Sequence, residues 1–245
     1  FGLGDSATFI TNSRLYDGSF YSKICLAQSQ RNDGYTMSNS VLELNDVSIS
    51  LGGKQLLEID CRVGPGEILT VMGPSGSGKS SLLAYIAGFL APVFESSGSV
   101  LVNGDDICSL AAERRRIGLL FQDPLLFPHL SVAGNLRFAM PRNAQHKSQA
   151  ISEGLHDIGL AGFDNRDPGT LSGGQASRIA LLRLLLCAPN AVLLDEPFSK
   201  LDTQLSEEIR ALVFDKLRAS GLPTILVTHD QCDAEQAGGE IRTLL

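Results

Sequence analysis

Ile68-Leu-Thr-Val-Met72 runs straight into Gly73-Pro-Ser-Gly-Ser-Gly-Lys-Ser80, and this stretch decides the fold. The short apolar run with β-branched residues reads as a buried strand, and the residues from about Lys79 to Phe89 read as a helix. Between them lies G-x-x-x-x-G-K-[ST], a phosphate loop in the strand-to-helix context it requires. Gly76 and Gly78 permit positive φ, so the backbone can close around an anion. Successive N–H groups at a helix start form a nest that the helix dipole makes favourable for negative charge. Lys79 supplies a mobile cation for the terminal phosphates, and the Ser80 hydroxyl is a ligand for an accompanying Mg²⁺. Gly73, Pro74, Ser75, Gly76, Ser77, Gly78, Lys79, Ser80 and Ser81 are therefore the candidate contacts of a polyphosphate.

Reading outward from the loop, strands and helices alternate. Val41–Leu44 and Val47–Ser50 alternate apolar and polar residues, as half-buried strands do. Ile117–Phe121, Ala191–Asp195 and Thr224–Thr228 read as buried parallel strands. Helices are expected near 145–160, 173–188 and 203–219, with Ser172 as N-cap of the second. Repeated strand–helix–strand order predicts an α/β fold with a mostly parallel sheet. Residues 1–36 hold three of the four tyrosines (Tyr16, Tyr21, Tyr35), are polar and aperiodic, and are taken as a tail without assigned function. The domain is expected over 37–245, beginning at Met37.

A formal charge of −7 argues against a dedicated nucleic-acid binder, which carries a basic balance. No stretch approaches the roughly 18 uninterrupted apolar residues of a membrane helix. Cys25, Cys61, Cys108, Cys187 and Cys232 make no C-x-x-C pair and read as reduced thiols.

Leu193-Leu194-Asp195-Glu196 ends an apolar strand on two carboxylates. In a parallel sheet, ligands bind beyond the strand carboxyl ends. Asp195 there would hold Mg²⁺ through water, and Glu196 would polarise an attacking water. Leu171-Ser-Gly-Gly-Gln175 narrows the field further. Together with the phosphate loop, Gln122, the Asp195–Glu196 pair, Ser199-Lys-Leu-Asp202 and His229, it gives six elements in one order. On these the chain resembles the ATP-binding subunits of ABC (ATP-binding cassette) transporters over residues 41–232.

The resemblance implies a P-loop NTPase core, an antiparallel β subdomain and a helical insertion at about 123–188 carrying the signature 171–175. It implies ATP and Mg²⁺ as bound species, with Ser80, Gln122 and Asp195 about the metal. Lys79, Glu196, His229 and Gln122 would be catalytic, with His229 on the γ-phosphate and Gln122 on the metal and attacking water. It implies a head-to-tail homodimer in which Ser172, Gly173, Gly174 and Gln175 of one copy complete the partner's site, and Asp202 communicates between them. The signature lies 93 residues beyond Lys79, a distance suited to completion of the site by a second chain. Ala176 and Lys200 depart from the residues the family often carries there. Leu51 stands where an aromatic residue normally stacks on adenine, forfeiting about 1–3 kcal/mol of stacking.

Phe121-Gln-Asp-Pro-Leu-Leu-Phe-Pro-His-Leu-Ser-Val132 is similar to the matching segment of bacterial importer ATPases for anions, metals, polyamines or thiamine. Leu125, Leu126, Phe127 and Leu130 would form a surface receiving a short helix of an integral membrane permease, with Leu126 and Phe127 as anchors. That places the subunit peripherally on the cytoplasmic face of the inner membrane, a substrate-binding protein being a further partner of such importers. The alternatives are an exporter or lipoprotein-release ATPase, or a soluble non-transport ABC ATPase. The 93-residue spacing leaves no space for the long coiled coils of the DNA-repair class.

Overall fold

The computed structural model describes residues 40–199 and 203–244. The proposed tail 1–36 and Asp202 lie outside the described residues. Two sheets organise what is described. The first is antiparallel, built from β1 (Leu42–Leu51), β2 (Lys54–Val63), β4 (Phe94–Val102) and β5 (Asp105–Asp106) in the order β2-β1-β4-β5. The second takes β3 (Ile68–Met72), β6 (Ile117–Leu120), β7 (Ala191–Asp195), β8 (Thr224–Val227) and β9 (Ile241–Thr243) in the order β6-β7-β8-β3-β9. Every pairing in it is parallel.

The alternation of side chains along a strand explains why the central strands are apolar throughout. Ala191 and Leu193 of β7, with Ile225 and Val227 of β8, join the core shared with the antiparallel sheet and with helix α1 (Lys79–Ala87). Val192, Leu194 and Leu226 face the other way, into the core built by the remaining helices. Both faces are dry, and each fully buried Leu, Ile or Val contributes about 1.5–3 kcal/mol.

The two strands expected at 41–44 and 47–50 are one. β1 continues through a bulge, the register slipping between Leu44 and Val47 against β2 and between Asn45 and Ser48 against β4. Asp46 takes φ 50° there. Gly98 of β4 faces the bulge at φ 89°, and a Cβ on it would stand 2.4 Å from the Asp46 carbonyl oxygen. Only glycine fits that approach.

Helix α1 stops at Ala87, two residues before the expected end, because Gly88 turns left-handed and its N–H bonds back to Ala84 and Tyr85. Arg115 completes the stop. Its guanidinium donates to the carbonyls of Tyr85 (2.8 Å), Ile86 (2.9 Å), Leu110 (3.0 Å) and Cys108 (2.7 Å). Between β6 and β7 the chain makes α2 (Val132–Ala139), α3 (Lys147–Asp157) and α4 (Gly173–Leu186). These pack on one another, and α4 also lies on β6. Helix α5 (Thr203–Ala219) leads to β8, and the short α6 (Gln231–Ala237) follows it. Among the described residues no helix is long and apolar enough to cross a membrane.

Candidate functional site

Four neighbouring strands, β6, β7, β8 and β3, run parallel, so their carboxyl ends share one edge of the sheet. Gln122 follows β6, Asp195 ends β7 with Glu196 behind it, His229 follows β8, and the phosphate loop follows β3. The strand order thus gathers residues separated by up to 156 positions along the chain.

In the loop, Gly76 and Gly78 take φ 85° and 88°, as their spacing predicts. Gly78 is the more constrained: a Cβ would lie 2.8 Å from Leu57 Cδ2, so the loop rests directly on β2. Lys79 is buried, and its ammonium donates to the carbonyls of Gly73 (2.7 Å) and Pro74 (2.8 Å), which aims it across the loop. The first N–H groups of α1 have no intrahelical partner, and no acidic residue stands in its first turn. Ser77 Oγ is buried without a hydrogen-bond partner among the described residues. Outward N–H groups, a held ammonium and an orphaned hydroxyl are the donor set of a polyphosphate site.

Asp195 stands beside the loop. Burial pushes its carboxyl up, the neighbouring Glu196 charge adds to this, and the Ser80 hydroxyl and Lys79 ammonium pull it back. A hydroxyl and a carboxylate are hard oxygen donors suited to Mg²⁺, an ion that keeps most of its shell as water and phosphate. No cluster of three or more His, Cys, Asp or Glu able to hold a metal occurs among the described residues.

Glu196 adopts φ 46°, and its N–H donates to the Val227 carbonyl at 2.9 Å. A non-glycine residue in the left-handed region is uncommon and costs of order 1–3 kcal/mol. The turn swings its side chain against His229, whose Nδ1 lies 3.0 Å from Glu196 Oε1. A carboxylate only accepts, so the imidazole donates from Nδ1.

The signature residues lie elsewhere. Ser172 caps α4, as expected, by accepting from the Gln175 N–H at 3.3 Å, while Gln175 Oε1 accepts from the Ser172 N–H at 3.0 Å. This capping box involves two of the signature residues themselves. Ser172 and Gly173 are exposed and Gly174 is buried at the helix start. Nothing in the single chain brings this end of α4 onto its own phosphate loop among the described contacts.

The segment after Gln122 differs from expectation in one respect. Leu126 turns inward onto the larger core, whereas Leu125, at φ 47°, is 56% exposed. Leu126, expected as an anchor of an exposed surface, thus packs on the core instead, and Leu125 is the neighbour that faces out, because of the left-handed turn at 125. Phe127 is half-buried and meets Phe138 edge-on at 4.9 Å, and Phe138 itself is 69% exposed. With Pro141, Arg183 and Cys187 these residues line a groove of about 720 Å³. Two side chains that the sequence did not mark hold its wall. Arg183 of α4 donates to the carbonyls of Leu125 (2.8 Å) and Pro124 (2.9 Å). Asn135, fully buried, accepts from the Phe127 N–H at 2.7 Å and donates to the carbonyls of Phe127, Leu130 and Ser131. Leu51, at the end of β1, is 39% exposed, and its register partner on β4 is Phe94.

A phosphate loop between the first strand and first helix of a parallel sheet, with an acid at the end of a neighbouring strand, defines a P-loop nucleoside triphosphatase. A family model described as "ABC transporter" matches residues 43–199, and the chain belongs to that family. It is an ATP-binding, ATP-hydrolysing subunit of the kind that energises ABC transporters. The uncharacterised ABC transporter ATP-binding protein YnjD of Escherichia coli K12 is 44% identical over 196 residues, covering 79% of this chain and 90% of that one. The thiamine import ATP-binding protein ThiQ of Cereibacter sphaeroides is 44% identical over 187 residues, covering 75% and 80%. The Fe(3+) ions import ATP-binding protein FbpC of Mesorhizobium japonicum is 42% identical over 193 residues, covering 77% of this chain but only 53% of its own length.

Proposed function

We propose that this chain is the ATPase subunit of an ABC importer, acting as a homodimer on integral membrane permease subunits at the membrane surface. The observation that carries the reading is the delivery of Gln122, Asp195, Glu196, His229 and the phosphate loop to one sheet edge by four adjacent strands. Importer function is supported by relatives named for import of thiamine, Fe(3+) ions and spermidine or putrescine.

In this reading the backbone N–H groups of 75–81 and Lys79 bind the phosphates of ATP. Ser80 and Asp195 would hold Mg²⁺, with Gln122 beside it, and the ion would supply neutralising charge to the phosphates. Glu196 accepts the proton of the attacking water. His229, tethered through Nδ1, presents Nε2 outward to the γ-phosphate. Ser172, Gly173 and Gly174 have no such phosphate within their own chain, so a second copy supplies it, and Asp202 would serve the contact between copies. Closure of the pair is a rigid-body motion that the permease follows through the groove at Leu125, Phe127 and Phe138.

The test is trapping. Glu196→Gln preserves shape but cannot accept a proton, so it should bind ATP, hardly turn over, and elute as an ATP-dependent dimer. Mixing Lys79→Ala chains with Ser172→Arg chains should restore one working site in each mixed dimer. Wild-type turnover by Glu196→Gln sinks the base assignment, and an ATP-saturated monomer sinks the shared site. Leu125→Ser with Phe138→Ser should leave ATP binding intact but lower recovery with the permease from membranes; undiminished recovery moves the docking surface elsewhere.

A further inference from the structure

His229 is flanked on both sides by a part-buried ionic network that the catalytic reading does not use. On its N-terminal side, Thr228 Oγ1 donates to Asp233 Oδ2 at 2.6 Å and accepts from the Asp230 N–H at 3.0 Å. On its C-terminal side, the Asp230 carboxylate accepts from the Cys232 N–H at 2.8 Å, capping α6, and from Arg210 Nη2 at 2.8 Å. Arg210 Nε donates to Asp233 Oδ1. One guanidinium from α5 therefore grips the carboxylate that anchors Thr228 and the carboxylate of Asp230, the two residues flanking His229.

The same guanidinium lies 5.7 Å from the ring centroid of Phe198, two residues beyond Glu196, and that ring meets Phe214 of α5 edge-on at 5.5 Å. The side chains of Arg210 and Asp233 are only 8% and 3% exposed. For stability alone, apolar residues of similar volume often serve as well as a buried ion pair. A planar fork with fixed donor directions offers what apolar packing lacks, two directed bonds to two carboxylates at once.

We propose that Arg210 is a positioning residue for hydrolysis, holding the 228–230 turn so that His229 stays against Glu196. This rests on the reading that His229 and Glu196 flank the reacting phosphate. Arg210 touches neither; it acts through Thr228 and Asp230.

The experiment uses the full chain and reads kcat, KM, fluorescent-nucleotide affinity and unfolding temperature. Arg210→Gln alone would strand a buried carboxylate, so it is paired with Asp233→Asn, which keeps amide hydrogen bonds and removes both charges. That pair should lower kcat by about ten- to a hundredfold, as loss of alignment does, with KM and nucleotide affinity within about twofold. Arg210→Lys keeps the charge on a head that cannot fork, and should lose about three- to tenfold in kcat while staying folded. On a His229→Ala background neither change should lower the residual turnover further, because the positioned group is gone. A merely structural pair would shift unfolding without this non-additivity. Wild-type kcat in folded Arg210→Lys and in the double variant, beside an inactive His229→Ala, overturns the proposal alone. Losses that multiply on the His229→Ala background overturn it too. Full turnover by His229→Ala overturns the underlying reading, and the proposal with it.

Discussion

Replacing Arg115 with methionine would keep a long unbranched stem and remove every donor at its head. Four carbonyls then lose the guanidinium: Tyr85 and Ile86 in the last turn of α1, where Tyr85 keeps the Gly88 N–H, and Cys108 and Leu110 in the loop beyond β5. Water can serve the loop carbonyls, but Ile86 is buried and Tyr85 half-buried. An orphaned buried acceptor costs about 1–3 kcal/mol, and the Ile86 carbonyl is the one so left. The favourable cation at the helix carboxyl end disappears as well, a further ~0.3–1 kcal/mol. For a domain of this size about 2–4 °C of unfolding temperature accompanies each kcal/mol, so the midpoint should fall by roughly 3–15 °C. The assay is thermal and urea unfolding of the nucleotide-free chain. Nucleotide affinity, measured well below the new midpoint, should change by less than about threefold, because the loop lies at the opposite end of α1. A midpoint within about 2 °C of wild type would refute the reasoning and show that solvent replaces the guanidinium.

Three further outcomes follow from the same geometry. Gly78→Ala forces φ 88° on a residue with a Cβ that would meet Leu57 at 2.8 Å; nucleotide titration should show affinity lower by tenfold or more, and undiminished affinity would mean the loop adapts freely. Leu51→Tyr should tighten ATP binding by about tenfold if the end of β1 covers adenine, and Phe94→Ala should weaken it if the neighbouring ring shares that face; unchanged affinities in both would place adenine elsewhere. Asn135→Leu removes the partner of the Phe127 N–H and of the Leu130 carbonyl, while the N–H groups of Leu130 and of residue 135 still serve the Phe127 and Ser131 carbonyls; unfolding should cost about 2–4 kcal/mol less, and amide exchange should quicken over 124–131, with unchanged exchange refuting the anchor.

The sequence was most legible where burial is complete. β3, β7 and β8 are continuous apolar runs because both their faces are covered, and their bounds were read to within a residue. β2 carries no such run, although its exposure alternates cleanly from Leu56 to Val63. β4 opens on Phe-Glu-Ser-Ser-Gly, which has little strand character of its own and is held by pairing with β1. Helices α2 and α6, at eight and seven residues, are too short for periodicity to announce them. At the site, the phosphate loop, Asp195 and Glu196 are readable because each ends or follows a strand, whereas His229 is legible only through its place in the order of motifs the resemblance supplies. Arg210 with Asp233, Arg183 with Leu125, and Arg115 with Tyr85 pair across 23, 58 and 30 positions, and no local pattern marks such partners.

The capping box at Ser172 narrows which residue can stand there. Asparagine, aspartate and serine end a helix about equally well. The hydroxyl differs in what it keeps after capping: its lone pair takes the Gln175 N–H, yet its proton is still available to give. An aspartate in the same geometry would satisfy the helix and turn a full negative charge toward any approaching anion. Serine thus lets one atom close a helix and, on the proposed shared-site reading, greet a phosphate simultaneously, so a Ser172→Asp chain should fold as well as the parent while losing ATP-dependent dimer closure.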